Sequence, residues 1–285
     1  MTSYRTAMIA LHSAVLLFAL SGLFAKWLTV SASVIVFGRA AFAAIALGVF
    51  IRVIKAQSLI ISNKYIVLMA VTGAVLALHW LSFFYAIQVS SVAIGLITFA
   101  TFPVIVGVFE PLFFKLSFRK DSLIQALLTL IGVALVLPWE ELTTSTLDGI
   151  FWGFISALLF AILAILNRKY VRKISPQHVA CYQNLFASLL LIPVILFNDF
   201  EITFTELSLL VLLGVVFTAL AHSLYNLSLT RLHASTASIG VSLEPIYGIV
   251  AASIFLNELL TPLMILGASI VIFANVWAAK KTINS

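Results

Sequence analysis

Leu16-Leu17-Phe18-Ala19 returns as Leu158-Leu159-Phe160-Ala161, half a chain length further on. Pro103 has a counterpart at the same offset of 142, Pro245, after a similar approach rich in Ser, Ala, Thr and Gly. The chain has 285 residues, so the echo reads as a duplication of the whole chain. What the duplication means depends on the solvent. Hydrophobic residues make up 63% of the chain and charged residues 9%, with a mean hydropathy of +1.19. That composition lies outside the globular range and points to lipid.

Apolar runs near the ~20 residues needed to cross a bilayer follow one another along the chain. They give ten expected spans, at 6–28, 32–53, 64–87, 91–114, 121–138, 146–167, 177–197, 205–229, 234–256 and 261–279. The expected fold is an all-α membrane protein of two five-helix repeats, 1–142 and 143–285. The first apolar stretch is too long for the core of a secretory signal and reads as a retained helix. The single cysteine, Cys181, lies within a span and excludes an intramolecular disulfide.

The formal charge of +6 does not point to a nucleic-acid partner, because the basic residues are sorted by side. Arg5, Arg52, Lys55, Lys64, Lys115, Arg119, Lys120, Arg168, Lys169, Arg172, Lys173, Arg231, Lys280 and Lys281 fall on one side if the first span runs outward. By the positive-inside rule that side is cytoplasmic, as are both termini. Glu140, Glu141, Asp148, Asp199, Glu201, Glu206 and Glu258 fall opposite, while Lys26 and Arg39 lie outside the pattern. Five spans per repeat is an odd number, so the second copy enters the membrane from the other face. Inverted repeats place two similar bundles around a midplane site that can open alternately to either side.

Many small residues have a packing explanation. Gly149, Gly153, Ala157 and Ala161 recur every four residues, as do Ala40, Ala44 and Gly48. Close backbone approach holds helices together in lipid, which offers no hydrophobic drive between them. Trp139, Trp152 and Trp277 suit interfacial anchoring. Pro103 and Pro245 are expected to kink spans 4 and 9, freeing carbonyls towards a cavity or setting a static bend. The register of the echo breaks at informative places. Spans 2 and 7 align best at an offset of 144, with Phe42-Ala43 on Phe186-Ala187 and Arg39 on Gln183.

Several stretches resemble the drug/metabolite transporter superfamily, specifically EamA-type ten-helix transporters. They are Ser21-Gly22-Leu23-Phe24-Ala25-Lys26, Gly38-Arg39-Ala40-Ala41-Phe42-Ala43, Ala234-Ser235-Thr236-Ala237-Ser238-Ile239-Gly240, Leu243-Glu244-Pro245-Ile246 and Leu256-Asn257-Glu258-Leu259-Leu260-Thr261. The resemblance runs through essentially the full chain. It implies ten helices with both termini inside, and movement of small polar or amphipathic metabolites, often export of amino acids, through a central cavity. Two departures stand out: Leu116 occupies the place corresponding to Glu258, and Glu110-Pro111 answer to Ala252-Ser253.

A charge in the hydrocarbon region costs at least ~2.5 kcal/mol, so such residues face protein or water. Arg39 could hold a carboxylate or phosphate with both arms of its guanidinium. Glu244 could bind a substrate cation, accept a coupling proton, or simply pair with Arg39 in a structural salt bridge. Glu110, near the cytoplasmic boundary, suits pairing with basic neighbours, and Lys26 can snorkel. His79 and His222 occur in paired spans 3 and 8, one residue out of register. With Trp80, Tyr85, Tyr225, Asn226, Tyr182 and Tyr247 they are candidates to line a cavity. Each could equally serve helix contacts.

No zinc-binding His-Glu-x-x-His pair, nucleophile elbow or Walker loop is present, so catalysis, a metal and direct ATP hydrolysis are not expected, and no cofactor is called for. The expected protein is a secondary transporter in the inner (plasma) membrane. Its partners are lipid, a small-molecule cargo and, as a candidate coupling ion, the proton. Export of an amino-acid-like compound is favoured by the resemblance. Uptake or exchange of a nucleotide-linked or methyl-donor metabolite such as S-adenosylmethionine is the alternative, and a membrane enzyme or sensory subunit the reading from another class.

Overall fold

In apolar surroundings every backbone N–H and C=O must find its partner within the chain, which leaves helices as the local solution for these runs. A computed structural model describes all residues except 1–2, 116, 118–120, 137–142, 172, 198–199, 242, 260 and 284–285. Among the described residues there are helices and no strands. Leu116, Arg119, Lys120, Trp139, Glu140, Glu141, Arg172 and Asp199, all used in the sequence reading, lie outside the described residues.

The first repeat comprises α1 (Tyr4–Ser21), α2 (Phe24–Trp27), α3 (Ala32–Val49), α4 (Asn63–Val89), α5 (Val92–Phe99), α6 (Phe102–Phe114) and α7 (Asp121–Val136). The second comprises α8 (Thr144–Tyr170), α9 (Pro176–Leu196), α10 (Phe204–Gly214), α11 (Ala221–Leu229), α12 (Ala234–Val241), α13 (Glu244–Leu256) and α14 (Pro262–Ile283). A π-helical turn ends α3 at Phe50–Ile54, and a second, Val215–Leu220, joins α10 to α11. Among the described residues seven helical segments are long and apolar enough to cross a membrane. Three shorter apolar helices, Ile124–Leu135, Glu244–Leu256 and Pro262–Ala274, fall on the expected spans 5, 9 and 10.

The repeats interlock. α1 packs on α11, α12 and α13 of the second repeat, and α8 packs on α4, α5 and α6 of the first. The pairings α3 with α9 and α7 with α14 exchange into themselves when the repeats are swapped. Glycine contacts fix the register of this relation. A Cβ on Gly73 would stand 2.8 Å from the Gln183 carbonyl and 3.3 Å from Ala187 N; one on Gly214 would stand 3.0 Å from the Arg39 carbonyl and 3.3 Å from Ala43 N. Gln183 and Ala187 answer to Arg39 and Ala43 at an offset of 144, where the sequence of these spans matches best. A second pair is complementary. Gly153 receives Thr98, and Gly240 receives Leu11, so the small and large partners have changed helices at an offset of 142. Gly149 packs similarly against Ser90, whereas Gly48 faces open space, so the small-residue stripe of α3 ends at Ala44.

Pro103 and Pro245 do not bend continuous helices. Each lies in the first turn of a new helix, α6 or α13, where the missing N–H is an orphan anyway. Spans 4 and 9 are therefore divided into two half-helices. Their far ends match as well. Lys115 and Asn257, at the same offset as the prolines, close α6 and α13 in the left-handed region at φ 55° and 56°.

Gly214→Ala is expected to cost about 1–3 kcal/mol by forcing α10 off α3. Gly48→Ala is expected to be neutral or stabilising by up to ~1 kcal/mol. Thermal unfolding of the two variants in detergent compares them, and equal effects would contradict the packing register.

Candidate functional site

A small cavity of about 30 Å³ lies where the two repeats meet. From the first repeat Phe18, Ser21, Arg39, Leu76, His79, Trp80, Phe83 and Phe99 line it; Phe160, Leu163, His222 and Glu244 come from the second. Phe18 and Phe160 are the phenylalanines of the two matching LLFA stretches, so the sequence echo is also the aromatic pair of the cavity. The volume suits about one water and is far below the ~300–1,000 Å³ of a small-molecule pocket. A cavity of that size does not hold a cargo molecule.

Arg39 is 1% exposed. Its Nε donates to Thr218 Oγ1 at 3.0 Å, and its guanidinium carbon lies 4.0 Å from the Trp80 ring centroid and 5.0 Å from that of Phe84. These cation–π contacts hold the guanidinium by its face. Its terminal nitrogens have no hydrogen-bond acceptor among the described residues. Glu244, 4% exposed, is the first residue of α13, where aligned peptide dipoles favour an anion. Among the described residues Glu244 has no hydrogen bond and no ion pair, with Arg39 or otherwise. The structural salt bridge is not formed; the acidic and the basic side chain face one cavity.

The paired histidines carry opposite tautomers when neutral. His79 Nδ1 lies 2.8 Å from Ser156 Oγ and 3.1 Å from the Ser156 carbonyl, which can only accept, so Nδ1 carries the proton. Asn184 Nδ2 is oriented by donation to the Ala180 carbonyl at 2.8 Å. It also donates to His222 Nδ1 at 3.2 Å, so that nitrogen accepts. His79 is enclosed by Phe83, Phe99 and Phe160, and His222 meets Trp80 edge-on.

Tyr225 packs between Phe18 and Phe160 beside the cavity. Asn226 is in a buried carboxamide cluster: Asn167 Nδ2 donates to Asn226 Oδ1 at 3.0 Å, and Gln183 Nε2 donates to Asn167 Oδ1 at 2.6 Å. Three further candidates stand apart from the cavity. Tyr85 is 41% exposed and packs on Trp152; Tyr247 is 39% exposed. The Tyr182 hydroxyl donates to the Leu59 carbonyl at 2.8 Å, tying α9 to the connection before α4. The sequence reading does not single out Thr218, Ser156, Asn167, Ser21 or Leu76, and only the matched LLFA stretches point to Phe18 and Phe160.

The unmatched carboxylates do the same job at opposite ends. Glu110 pairs with Arg168 and accepts the Ala234 N–H, the first of α12, at 2.8 Å. Glu258 accepts the N–H groups of Val92 and Ala93, the first of α5, at 3.1 and 3.4 Å. Val92 and Ala234 are counterparts at the offset of the echo, and so are Lys26 and Arg168. Lys26, an exposed residue, completes the Glu258 end by donating to the Ser90 carbonyl at 2.9 Å. Among the described residues no three His, Cys, Asp or Glu side chains converge as metal ligands would.

The model of the EamA-like transporter family matches residues 5–137 and again 147–278. The chain belongs to this family. An EamA-like protein with two family units and a cavity between them accounts for the duplication and for the drug/metabolite transporter resemblance. Among its relatives is "Uncharacterized transporter YxxF" of Bacillus subtilis (strain 168), 26% identical over 64% of this chain and 60% of that one. "Threonine/homoserine exporter RhtA" of Escherichia coli (strain K12) is 26% identical over 68% of this chain and 64% of its own length. An "Uncharacterized transporter" of Archaeoglobus fulgidus is 29% identical over 67% of this chain and 68% of that one. The match thus spans under two thirds of the first two relatives. A solved structure described only as "Crystal structure of protein" covers 99% of the EamA-like chain with a TM-score of 0.77 at 14% identity, a likeness of fold.

Arg168→Ala is expected to lower stability by about 3–5 kcal/mol, because it deprives the buried Glu110 carboxylate of its ion-pair partner. Replacing both residues with Leu is expected to recover more than half of that loss in chemical unfolding. A double variant as unstable as the single one would contradict the ion-pair assignment.

Proposed function

We propose that this protein is a secondary transporter of the inner membrane that moves an α-amino acid, or an amphipathic compound with an amino-acid head, by alternating access to the cavity between its repeats. The observation that carries this reading is the state of the two buried charges. Arg39 is fixed through Nε and against the Trp80 and Phe84 rings while its fork is unused, and Glu244 faces the same cavity without a partner among the described residues. A zwitterion complements that arrangement. Its carboxylate takes the fork in bidentate fashion, and its ammonium takes Glu244. Phe18, Phe83, Phe99, Phe160 and Trp80 receive its apolar part.

Cargo binding requires the cavity to widen, because about 30 Å³ does not admit an amino acid. The reciprocal carboxylate caps support two alternative openings. Glu110 with Arg168 holds α6 to α12 at one end of the antiparallel pair of broken spans, and Glu258 holds α13 to α5 at the other. At a rise of about 1.5 Å per residue, the run from Val92 to Glu110 sets the two closures roughly 27 Å apart. With ten spans, five per inverted repeat, and both termini cytoplasmic, Glu110 closes the inner face and Glu258 the outer. Releasing one while keeping the other exposes Arg39 and Glu244 to one side only.

Export is supported by the relatives named threonine/homoserine exporters. The ring of aromatic side chains also favours a cargo with a flat or cationic end, so S-adenosylmethionine, which bears the same amino-acid head, is the second reading. When the ammonium leaves, Glu244 can take a proton, which makes the proton the coupling ion.

Counterflow in proteoliposomes against an amino-acid panel that includes S-adenosylmethionine tests the reading. At least one member is expected to exchange, with Arg39→Ala and Glu244→Gln each lowering flux at least ~10-fold, the loss of one charge-assisted contact. A proton gradient is expected to drive net movement in the parent and not in Glu244→Gln. Flux unchanged by both substitutions would overturn the assignment.

A further inference from the structure

The fold contains the same helix crossing twice. α4 crosses α9 with Gly73 against the Gln183 carbonyl, and α10 crosses α3 with Gly214 against the Arg39 carbonyl. The two crossings then diverge. Beyond Gly73, α4 runs on as a regular helix to Val89, whereas beyond Gly214 the chain widens into the π-helical turn Val215–Leu220. The arginine and the wide turn thus occur at the same crossing, and at the other both are missing. Gln183 is satisfied there by Asn167.

The widened turn changes what its threonine can do. A Ser or Thr hydroxyl in a regular helix bonds the carbonyl three or four residues back, as Thr72 does with Met69 and Leu68. Thr218 instead donates to Leu213, five residues back, at 2.8 Å. That commits the hydroxyl proton, so towards Arg39 the oxygen can act only as acceptor. The Arg39 Nε can act only as donor, and the two meet at 3.0 Å. Trp80 and Phe84 confine the guanidinium plane, and Thr218 fixes its rotation within that plane. The counterparts of Thr218 in α4 are Ala77 and Leu76, at offsets of 141 and 142, and neither carries a hydroxyl. The register drifts across this interval, from an offset of 141 between Gly73 and Gly214 to one of 143 between His79 and His222. The wide turn lies within it.

We infer that Thr218, carried on the π-helical turn, is the positioning residue for Arg39 and sets the preference of the site for a free carboxylate. The inference rests on the reading of Arg39 as the holder of the cargo's acid group. Thr218 does not touch cargo; it aims the fork. A guanidinium released from Nε can rotate and meet a carboxylate with one arm, or point away from the cavity.

The test compares l-threonine and l-phenylalanine with their methyl esters in proteoliposome uptake. Thr218→Val keeps the shape and removes the acceptor, and Thr218→Ser keeps the acceptor. The valine variant is expected to raise KM for the free acids about 10-fold, the scale of one hydrogen bond to a charged group. Its maximal rate is expected to stay within about 2-fold of the parent, and its preference for acid over ester to fall by the same factor as KM rises. Thr218→Ser is expected to stay within about 2-fold of the parent in all three readouts. In an Arg39→Lys background, which has no Nε donor, Thr218→Val is expected to add less than about 2-fold. If the valine variant is not recovered folded, Thr218→Ala is judged by the same acid-to-ester ratio. A valine or alanine variant with the parent's KM and ratio, while Arg39→Ala abolishes acid preference, would overturn the role of Thr218 and leave that of Arg39 intact. Acid preference unchanged in Arg39→Ala, or no uptake of either amino acid by the parent, would overturn both.

Discussion

Helices α5 and α12 begin at fully buried residues, Val92 and Ala234, whose first N–H groups apolar surroundings cannot satisfy. This constraint organises the structure. The first N–H groups of α5 and α12 are each met by a carboxylate from the far end of the other broken span, Glu258 and Glu110 respectively. A carboxylate brought in for that purpose needs a cation nearby, and Lys26 and Arg168 stand at equivalent positions. The outer ends of the broken spans present N–H groups, carboxylates meet those groups, and bases accompany the carboxylates. The polar parts of the two closures follow in that order from an unsatisfied backbone.

The proposed function rests on places where the repeats stop matching. Symmetry alone would give Arg39 an arginine at Gln183 and Glu244 an acid at Phe102; neither is present. One basic and one acidic group remain, drawn from different repeats, facing a single cavity with no ion pair between them. A buried pair left unjoined is costly, and the cost is offset when a ligand of opposite polarity bridges it. The π-helical turn belongs to the same asymmetry, because it accompanies the arginine and is not repeated in α4.

Much of this is written in the sequence. The LLFA echo reads as a duplication, and the separate offset of spans 2 and 7 is the register on which Gly73 and Gly214 pack. Arg39 and Glu244 stand out because charge is rare in lipid. The faces of the helices are harder to read. In a lipid-embedded bundle the outward face is apolar too, so the usual contrast between inside and outside is weak. Tyr85, two residues beyond Phe83, therefore reads as a cavity residue in the sequence and points away from the cavity in the structure. The wide turn leaves no local mark, since Val215-Val216-Phe217-Thr218-Ala219-Leu220 is an ordinary apolar run; only the slip between the two histidines betrays it. The caps of Glu110 and Glu258 are hidden for another reason: the acids occupy non-equivalent positions, and their equivalence exists only at the helix ends they reach.

The central claim is that one cavity between the repeats is reached from either face in turn and holds the cargo. A cysteine at Ser21, introduced on a Cys181→Ser background, measures this most directly with an impermeant thiol reagent applied to each side of sealed vesicles. Ser21 lines the cavity and touches neither closure. Labelling from both sides, slowed from both by the transported amino acid, is the predicted result. Labelling from one side only, or labelling from both sides that saturating cargo leaves unchanged, would contradict the account.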